Sequence, residues 1–279
     1  MRQLDANLIT QVVKKLCIEA NCHLPEDMKQ CIQHSYQQEQ WPQAQEILER
    51  IIQNYEIADE NNQPICQDTG VACVFLKIGQ DVHIQGDITQ AVNEGVRQGY
   101  QEGYLRKSVV ADPLDRVNTG DNTPAMLYFE IVPGEQVEIT VAPKGFGSEN
   151  MSQIKMLRPS DGLQGVKDFV LKVVEDAGPN PCPPIVVGVG IGGTFDKAAL
   201  LAKKALLREG NSENPKPMYA QLERELLEEI NALGIGPQGF GGKTTALAVN
   251  IETFPTHIAG LPVAVNINCH VTRHQTEVL

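Results

Sequence analysis

The first sixty residues carry apolar side chains at helical spacing in three successive stretches. The first stretch contains Leu4, Leu8, Val12 and Leu16, which recur every four residues. Pro25 and Pro42 stand where a second and a third helix can begin, because proline is accepted in the first turn of a helix. The pattern therefore predicts a helical N-terminal segment over about residues 1–60.

Beyond residue 60, apolar runs typical of strands alternate with amphipathic stretches typical of helices. The predicted strands are VACVFLKI, MLYFEIV, QVEITVA, PIVVGVG, TTALAVNIETF and LPVAVNIN. The predicted helices are one capped by Asp87, one near residues 162–177, DKAALLAKKALL and MYAQLERELLEEINAL. Pro133-Gly134 joins MLYFEIV to QVEITVA, which predicts an antiparallel hairpin, and APKGFGSENMS predicts a glycine-rich loop.

Hairpins mixed with strand–helix pairs favour an α/β fold of the mixed α+β kind over an all-parallel sheet. We expect N-terminal helices followed by mixed sheets with hairpins and packed helices. No internal repeat and no low-complexity linker interrupts the chain, so residues 1–279 are predicted to form a single region.

The composition adds a strong acidic balance to this picture. The formal net charge is -12, which argues against nucleic acid and anionic membranes as partners. An anionic substrate would need positive groups gathered locally. The N-terminus lacks the apolar core of a signal peptide, and no apolar run is long enough to span a bilayer. These features predict a cytoplasmic protein.

Gly188 to Gly193 matches the G-x-G-x-x-G pattern of a dinucleotide-binding turn. The helix after it runs into a second helix rather than into a strand that could end in an acidic residue for a ribose. We therefore interpret the segment as a tight strand-to-helix turn. An oxidoreductase remains the third choice of function.

GPQGFGGKTTA ends in the Gly-Lys-Thr of a phosphate loop. The phosphate loop requires a glycine where this chain has Pro237, and Lys243 leads into a predicted strand instead of a helix. The sequence therefore excludes a nucleoside triphosphatase of this type.

The seven cysteines divide into two groups. Cys17 and Cys31 lie on predicted helices, Cys73 lies within a predicted strand, and Cys22 follows a helix end without a polar partner in sequence; packing is the simplest role for a cysteine in such places. The other three lie in irregular stretches and are Cys66 in PICQDTG, Cys182 in GPNPCPPIV and Cys269 in NINCHVTRH. Scattered cysteines can bind zinc, although zinc sites usually contain close pairs, and well-separated thiolates can instead hold an iron–sulfur cluster.

Long motifs in this chain resemble the α subunit of the class I, iron–sulfur fumarate hydratases, a family that includes the L(+)-tartrate dehydratase α subunits. The motifs are PICQDTG, GSENMS, NPCPPIVVGVGIGGTFDKAALLAKKAL, LGIGPQGFGGKTTALAVNIETFPTHIA and NCHVTRH. The resemblance covers nearly the whole chain and is weakest over the first fifty residues.

The resemblance implies that Cys66, Cys182 and Cys269 hold a [4Fe–4S] cluster. Three protein ligands for four irons would leave one iron open to act as a Lewis acid on the substrate hydroxyl. Arg273 and His274 come soon after Cys269, and this proximity suggests a supporting role near the cluster.

The resemblance also assigns residues to the substrate. It implies that Gln67 and Asp68 line the pocket, with Asp68 handling a proton, and that His257 hydrogen-bonds the substrate. Arg106 falls where the family places an arginine on a substrate carboxylate, and Gly147 lies in the segment Gly145 to Asn150 near the substrate. From the residues alone, Asp68 could equally be an Asx-turn residue, His257 a core histidine and Arg106 a solvated surface group.

The resemblance implies a partner chain. Single-chain members continue into a second domain with a catalytic threonine base and further Arg and Lys residues, whereas this chain ends soon after Cys269. We therefore expect a separate β subunit, an active site completed at the α–β contact, and an α2β2 assembly.

The expected reaction is the reversible hydration of fumarate to (S)-malate. The nearest alternative is an L(+)-tartrate dehydratase, which would release oxaloacetate. The resemblance favours fumarate, because the stretches GSENMS and GGKTTA are similar to the fumarase form of the family. An alternative of another class is a non-catalytic iron–sulfur module for electron transfer or sensing. The spectrum of its cluster would not change when dicarboxylates are added.

Overall fold

The computed structural model describes all 279 residues and combines helices with mixed sheets, which confirms the predicted α/β fold class. The helices are α1 (Ala6–Cys22), α2 (Glu26–Gln38), α3 (Pro42–Asn61), α4 (Ile88–Glu102), α5 (Phe146–Glu149), α6 (Gly162–Ala177), α7 (Phe195–Ala205) and α8 (Pro217–Ala232). The strands are β1 (Arg2–Asp5), β2 (Val71–Gly79), β3 (Val82–Gln85), β4 (Met126–Val132), β5 (Val137–Lys144), β6 (Gln153–Leu157), β7 (Ile185–Gly192), β8 (Ala246–Phe254), β9 (Leu261–Asn268) and β10 (Gln275–Val278). None of the helices combines the length and the apolar character needed to cross a membrane.

The chain divides into two compact units. Unit 1 comprises Met1–Pro25, Tyr55–Gly145 and Arg273–Leu279, and unit 2 comprises Glu26–Asn54 and Phe146–Thr272. Each unit contains one four-stranded sheet of its own. Of the residues predicted to form the site, unit 1 contains Cys66, Gln67, Asp68 and Arg106, and unit 2 contains Gly147, Cys182, His257 and Cys269.

Unit 1 is organised around β2, in a sheet with the strand order β10-β5-β2-β4. Helices α1 and α4 join the buried side chains of β2 and β5 in one apolar core. Gly95 and Gly99 allow α4 to lie directly against α1. A Cβ atom added at these positions would come within 2.7 Å of the Thr10 carbonyl oxygen and 2.8 Å of the Cys17 Cβ. A small parallel pair, β1 with β3, completes the unit.

The predicted hairpin between β4 and β5 is wrong, because β2 lies between these two strands. β2 pairs in parallel with β4 and antiparallel with β5. The short connection between β4 and β5 crosses the end of β2, where Gly79 N–H donates to the Gln136 carbonyl at 2.8 Å. The burial of each strand explains this order. β2 is buried at almost every position and takes a central place, whereas β4 is mostly exposed and takes the edge.

Unit 2 contains a sheet with the order β6-β9-β7-β8, in which all residues of β7 are buried. Val187 and Val189 share a core with α6 and α8. Gly188 and Gly190 lie against α7, and a Cβ atom added at either would come within 2.2 Å and 2.1 Å, respectively, of backbone oxygens of that helix. The strand is therefore covered on both faces, as expected for a continuous apolar run.

The N-terminal helices α1 to α3 and the cap of α4 confirm the prediction from apolar spacing. The Asp87 side chain accepts a hydrogen bond from Gln90 N–H at 2.9 Å, as an N-cap should. The sequence pattern does not predict β1, β3, β6 or β10, because these strands are four or five residues long and owe their conformation to pairing. The glycine-rich loop prediction is wrong over α5, where the chain forms one helical turn.

Candidate functional site

The turn between α3 and β2 presents three of the predicted site residues side by side in unit 1. The Cys66 thiol donates to Gln67 Oε1 at 3.3 Å, and Asp68 N–H donates to Cys66 Sγ at 3.4 Å. Cys66 is half-buried and Gln67 is exposed.

The Asp68 carboxyl group forms the Asx turn that the sequence left open as an alternative. Its Oδ1 accepts from Gly70 N–H at 3.0 Å. On the other side of the carboxyl group, a Cβ atom added at Gly145 would lie 3.1 Å from Asp68 Oδ2. One oxygen therefore fixes the turn, and Gly145 lies close beside the other.

Gly70 ends this turn with a φ of +69°, and an added Cβ atom would approach the Lys144 carbonyl oxygen to 2.5 Å. A side chain at this position would be excluded on both grounds. The glycine thus allows the turn to lie directly against the end of β5.

Buried side chains hold the carbonyl groups of the same turn. Tyr100 Oη donates to the Thr69 carbonyl at 2.8 Å and to the Gly70 carbonyl at 3.2 Å, and Asn122 Nδ2 donates to the Gly70 carbonyl at 3.1 Å. Arg273 Nη2 donates to the Asp68 carbonyl at 2.6 Å. Three consecutive carbonyl groups are therefore fixed by three side chains that are distant in sequence.

Arg106 is tied to the turn through its backbone. The Thr69 hydroxyl donates to the Arg106 carbonyl at 3.1 Å, while the Arg106 side chain is exposed. Asn122 Oδ1 accepts from Ser108 N–H at 2.6 Å and thereby holds the next residues along the chain. A guanidinium group mounted in this way can turn toward an anion without disturbing the turn.

Unit 2 brings Cys182 and Cys269 together. The Cys182 carbonyl accepts from His270 N–H at 3.4 Å, and His270 Nδ1 lies 3.0 Å from the same oxygen. Cys269 comes directly after β9, whose last residue pairs with the second residue of β7, and Cys182 shortly precedes β7. The two cysteine loops therefore meet at one end of the sheet.

The backbone at Cys182 adopts a left-handed conformation with a φ of +55°. This conformation is uncommon for a residue with a side chain and is retained where neighbouring contacts enforce it. Gln238 supplies such contacts, since its backbone N–H and its Nε2 each donate to the Pro183 carbonyl at 2.8 Å. Gly147 lies close by in α5, with room for a Cβ atom 3.7 Å from the Asn180 carbonyl oxygen.

His257 lies at the opposite end of the same sheet. Its loop comes after β8 and joins the far end of β7, where Gly193 N–H donates to the Pro255 carbonyl at 3.2 Å. The stretch of β7 between that end and the end beside Cys269 spans roughly 23 Å at the usual rise of a β-strand. His257 is exposed, and its Nδ1 accepts from Ala259 N–H at 3.2 Å, so the neutral ring carries its proton on Nε2.

The cysteines outside these turns occupy different surroundings. Cys17, Cys22 and Cys73 are buried, which confirms the packing role predicted for Cys17 and Cys73. Burial raises the pKa of Cys17 to about 12 and the pKa of Cys31 to about 11, with Asp27 adding to the effect at Cys31. Such thiols stay protonated at neutral pH, and a thiolate is the form that binds metal.

The three loop cysteines fit a [4Fe–4S] cluster by their chemistry. No cysteine forms a disulfide, and Cys66, Cys182 and Cys269 are the exposed or half-buried thiols that precede β2, precede β7 and come after β9. The chain gathers no group of three or more His, Cys, Asp or Glu side chains suited to a single metal ion. Thiolates that bind a cluster each take a different iron and need not converge on one point.

The two nucleotide-like motifs serve the fold instead. Gly188 and Gly190 lie within β7 and give α7 its close approach, so they do not form a phosphate turn. In the Gly-Lys-Thr segment, the buried Glu39 carboxylate accepts from Lys243 N–H at 2.9 Å and Thr244 N–H at 3.2 Å. The amide groups that would hold a phosphate already hold a carboxylate of the same unit.

Sequence reasoning missed Tyr100, Asn122 and Glu39 as supports of these loops. Tyr100 is visible in the sequence only as one apolar position of α4, and no local pattern connects Glu39 with residues 243 and 244. Arg273 stands out in the sequence through its proximity to Cys269, and the structure places its side chain on the Asp68 carbonyl.

Comparisons with known proteins agree with these motifs. A family model described as fumarate hydratase (Fumerase) matches residues 10–278. A Methanocaldococcus jannaschii protein with the provisional name L(+)-tartrate dehydratase subunit alpha is 47% identical over 272 residues, covering 95% of each chain. The L(+)-tartrate dehydratase subunit alpha of Escherichia coli strain K12 is 33% identical over 279 residues, covering 99% of this chain and 92% of that protein. The similarity thus extends from the Cys66 turn through both sheets to Cys269, and the chain belongs to the fumarate hydratase (Fumerase) family.

Proposed function

We propose that this chain is the α subunit of a two-subunit [4Fe–4S] hydro-lyase that interconverts fumarate and (S)-malate. Membership of the family supports lyase chemistry. The observation that carries the proposal is the Cys66 turn, which places a thiol, an amide side chain and a carboxyl group on consecutive residues.

Cys66, Cys182 and Cys269 are the residues that would hold the cluster. When bound, the cluster supplies a Lewis-acidic iron without a protein ligand, suited to polarising the bond between a substrate carbon and its hydroxyl.

Gln67 and Asp68 are proposed to face the substrate beside Cys66. Gln67 offers an amide group that can both donate and accept hydrogen bonds. The Asx turn fixes the orientation of the Asp68 carboxyl group, which is proposed to hold or release a proton during hydration. Arg106 would take a substrate carboxylate in its planar fork, and Gly147 lets backbone approach the substrate.

We assign His257 to the substrate bound by a second copy of the chain. It cannot reach a small dicarboxylate bound near Cys182 and Cys269 of its own chain, because the length of β7 separates the two ends of the sheet. The protonated Nε2 suits a hydrogen bond to a carboxylate. This assignment requires at least two copies, as in an α2β2 assembly.

A separate β subunit is proposed to complete the site. The relatives described above are named subunit alpha, which supports a partner chain. The acidic balance of this chain supports the same proposal, since a net charge of -12 repels a dianion unless a partner adds cations. The catalytic base is assigned to that partner.

L(+)-tartrate dehydration is the second candidate, and the names of the relatives favour it. Tartrate carries one hydroxyl more than malate, so the same residues would have to satisfy an additional polar group. The description of the matching family favours fumarate.

The test is to reconstitute the α and β chains together under anaerobic conditions and to assay fumarate, malate and tartrate. We expect hydration of fumarate at a kcat/KM well above that for tartrate dehydration. A preference for tartrate would establish the second candidate. A cluster whose spectrum is unchanged by dicarboxylates, with no turnover of any of the acids, would instead indicate an electron-transfer or sensor module.

A further inference from the structure

Arg273 is a buried cation without a carboxylate partner. The residue is only 4% exposed, yet no Asp or Glu lies within ion-pair distance of its guanidinium group. Its Nη2 donates to the Asp68 carbonyl, and its Nε has no hydrogen-bond partner. Arginine keeps its proton at any physiological pH, so the charge is present in the folded protein.

Arg208 in unit 2 shows the usual environment of a mostly buried arginine, which is an ion pair with a carboxylate. Its Nη1 donates to the Glu223 carboxylate at 2.6 Å, and both side chains are mostly buried. An unpaired buried charge is unfavourable, because desolvation is not offset by a nearby opposite charge. Arg273 forms no such ion pair, and its guanidinium group is instead bonded to the Asp68 carbonyl.

The turn to which Arg273 is bonded contains Cys66, whose sulfur carries a negative charge when it binds a metal. Arg273, Tyr100 and Asn122 hold the carbonyl groups of residues 68 to 70. The amide groups are used differently, because Asp68 N–H donates to Cys66 Sγ. Asp68 is therefore bonded on both sides: its carbonyl accepts from the Arg273 guanidinium group, and its N–H donates to the Cys66 sulfur.

We propose that Arg273 is a positioning residue that fixes the Asp68 carbonyl and balances the negative charge of the Cys66 thiolate and of the cluster bound to it. This inference rests on the proposed function. Its physical content is electrostatic: a fixed positive charge stabilises the more negative, reduced form of a cluster. The charge therefore raises the reduction potential and strengthens retention of iron.

The experiment compares the wild-type α–β complex with Arg273→Gln, Arg273→Lys and Tyr100→Phe complexes after anaerobic reconstitution. Glutamine removes the charge but can still donate to the Asp68 carbonyl. Lysine keeps the charge. Tyr100→Phe removes a hydrogen bond from the same turn without changing its charge and is the matched control.

The readouts are iron and sulfide content, the midpoint potential of the cluster, and thermal unfolding without the cluster. We expect Arg273→Gln to disfavour the reduced cluster by about tenfold, which is about 59 mV for a one-electron couple. The lysine and phenylalanine variants should keep the wild-type potential. Equal potentials in the wild-type and Arg273→Gln complexes would overturn the inference while leaving the proposed function intact.

Two further outcomes also test the role of Arg273. If Arg273→Gln does not fold, Arg273→Met replaces it as the variant without the charge: a potential about 59 mV below that of the wild type supports the charge role, and the wild-type potential overturns it. A wild-type complex that folds without iron and sulfide would overturn the proposed function, and this inference with it.

Discussion

The sheets of units 1 and 2 share one plan, although their sequences show no repeat. Each has a buried central strand, β2 or β7, with a parallel neighbour on one side and an antiparallel neighbour on the other. A fourth strand lies antiparallel beyond that second neighbour, β10 in unit 1 and β6 in unit 2. In both units the loop before the central strand carries a cysteine, Cys66 or Cys182.

The two units differ in the residue that comes directly after the antiparallel neighbour. In unit 1, β5 ends at Lys144 and leads to Gly145, which lies close beside the Asp68 carboxyl group. In unit 2, β9 ends at Asn268 and leads to Cys269, whose loop is bonded to the Cys182 carbonyl. Equivalent ends of two similar sheets thus carry different chemistry. Unit 1 has a carboxyl group beside its cysteine, and unit 2 has two cysteine loops that meet.

Removing the cysteines at these equivalent ends should have the largest effect. Cys66→Ala, Cys182→Ala and Cys269→Ala should each lose the cluster and lower activity by about a thousandfold or more, since the Lewis acid would be absent. Iron and sulfide analysis checks the first effect and a malate assay the second. Cys73→Ala is the matched control, because Cys73 is buried in β2 and should leave iron content unchanged. Iron retained in any of the first three variants would contradict the ligand assignment.

Substitution of His257 tests whether this residue, at the far end of the unit 2 sheet, acts in the active site of another copy of the chain. His257→Asn should lower kcat/KM by about a hundredfold, as expected for loss of one placed donor. Mixing this variant with Cys182→Ala during reconstitution should restore part of the activity. Mixed assemblies would contain one site with an intact cluster and a histidine from the other copy. No recovery on mixing would contradict the assignment of His257 to a second copy, and unchanged activity of His257→Asn alone would place it outside the active site.

Gly190 tests a packing difference between the two sheets. Among their strands, only β7 has glycines that lie directly against a helix. Gly190→Ala should destabilise the protein by about 2–3 kcal/mol or prevent folding, since the new Cβ atom would lie 2.1 Å from the Ala198 carbonyl oxygen. Chemical denaturation measures the effect. Gly260→Ala is the control, as its nearest contact would be 3.8 Å away. Equal stability in both variants would show that α7 can move away from β7.

Glu39 should produce the smallest effect, and one that depends on pH. Burial acts to raise the pKa of Glu39, but backbone N–H donors, chiefly Trp41, Lys243 and Thr244, outweigh burial and lower it. A lowered pKa in the folded state contributes stability above the unfolded value near 4.5, and this contribution is lost as the pH falls toward the folded value.

Glu39→Gln should therefore lower stability by about 1–2 kcal/mol at pH 7, with a smaller difference from wild type below pH 4. Denaturation midpoints across this pH range provide the measurement. Gln40→Ala is a nearby control, because Gln40 is exposed and its side chain contacts only Lys243 Nζ. A destabilisation that does not vary with pH would contradict the role of the Glu39 charge.

The sequence predicts the elements that local patterns encode. Apolar spacing predicts α1 to α3, and a fully apolar run predicts β7, because the burial of these elements follows a regular period. The order of strands in unit 1 cannot be predicted in this way. Sequence proximity favours a β4–β5 hairpin, whereas the burial of β2 decides the actual order.

The same division applies to the candidate site. Cys66, Cys182 and Cys269 stand out by their irregular, proline- and glycine-rich surroundings and by motif resemblance. The supports of the turn do not, since Tyr100 and Arg273 act through carbonyl groups far away in sequence. The distance between His257 and the two cysteines of its unit follows only from the pairing of β7 with β9.

The central proposal is that Cys66, Cys182 and Cys269 hold one catalytic cluster, and the most direct test is the iron and acid-labile sulfide content of the anaerobically reconstituted α–β complex. The account predicts about four of each per α chain, with an optical spectrum that changes when malate is added. A folded complex that contains zinc instead, or no metal at all, would contradict it.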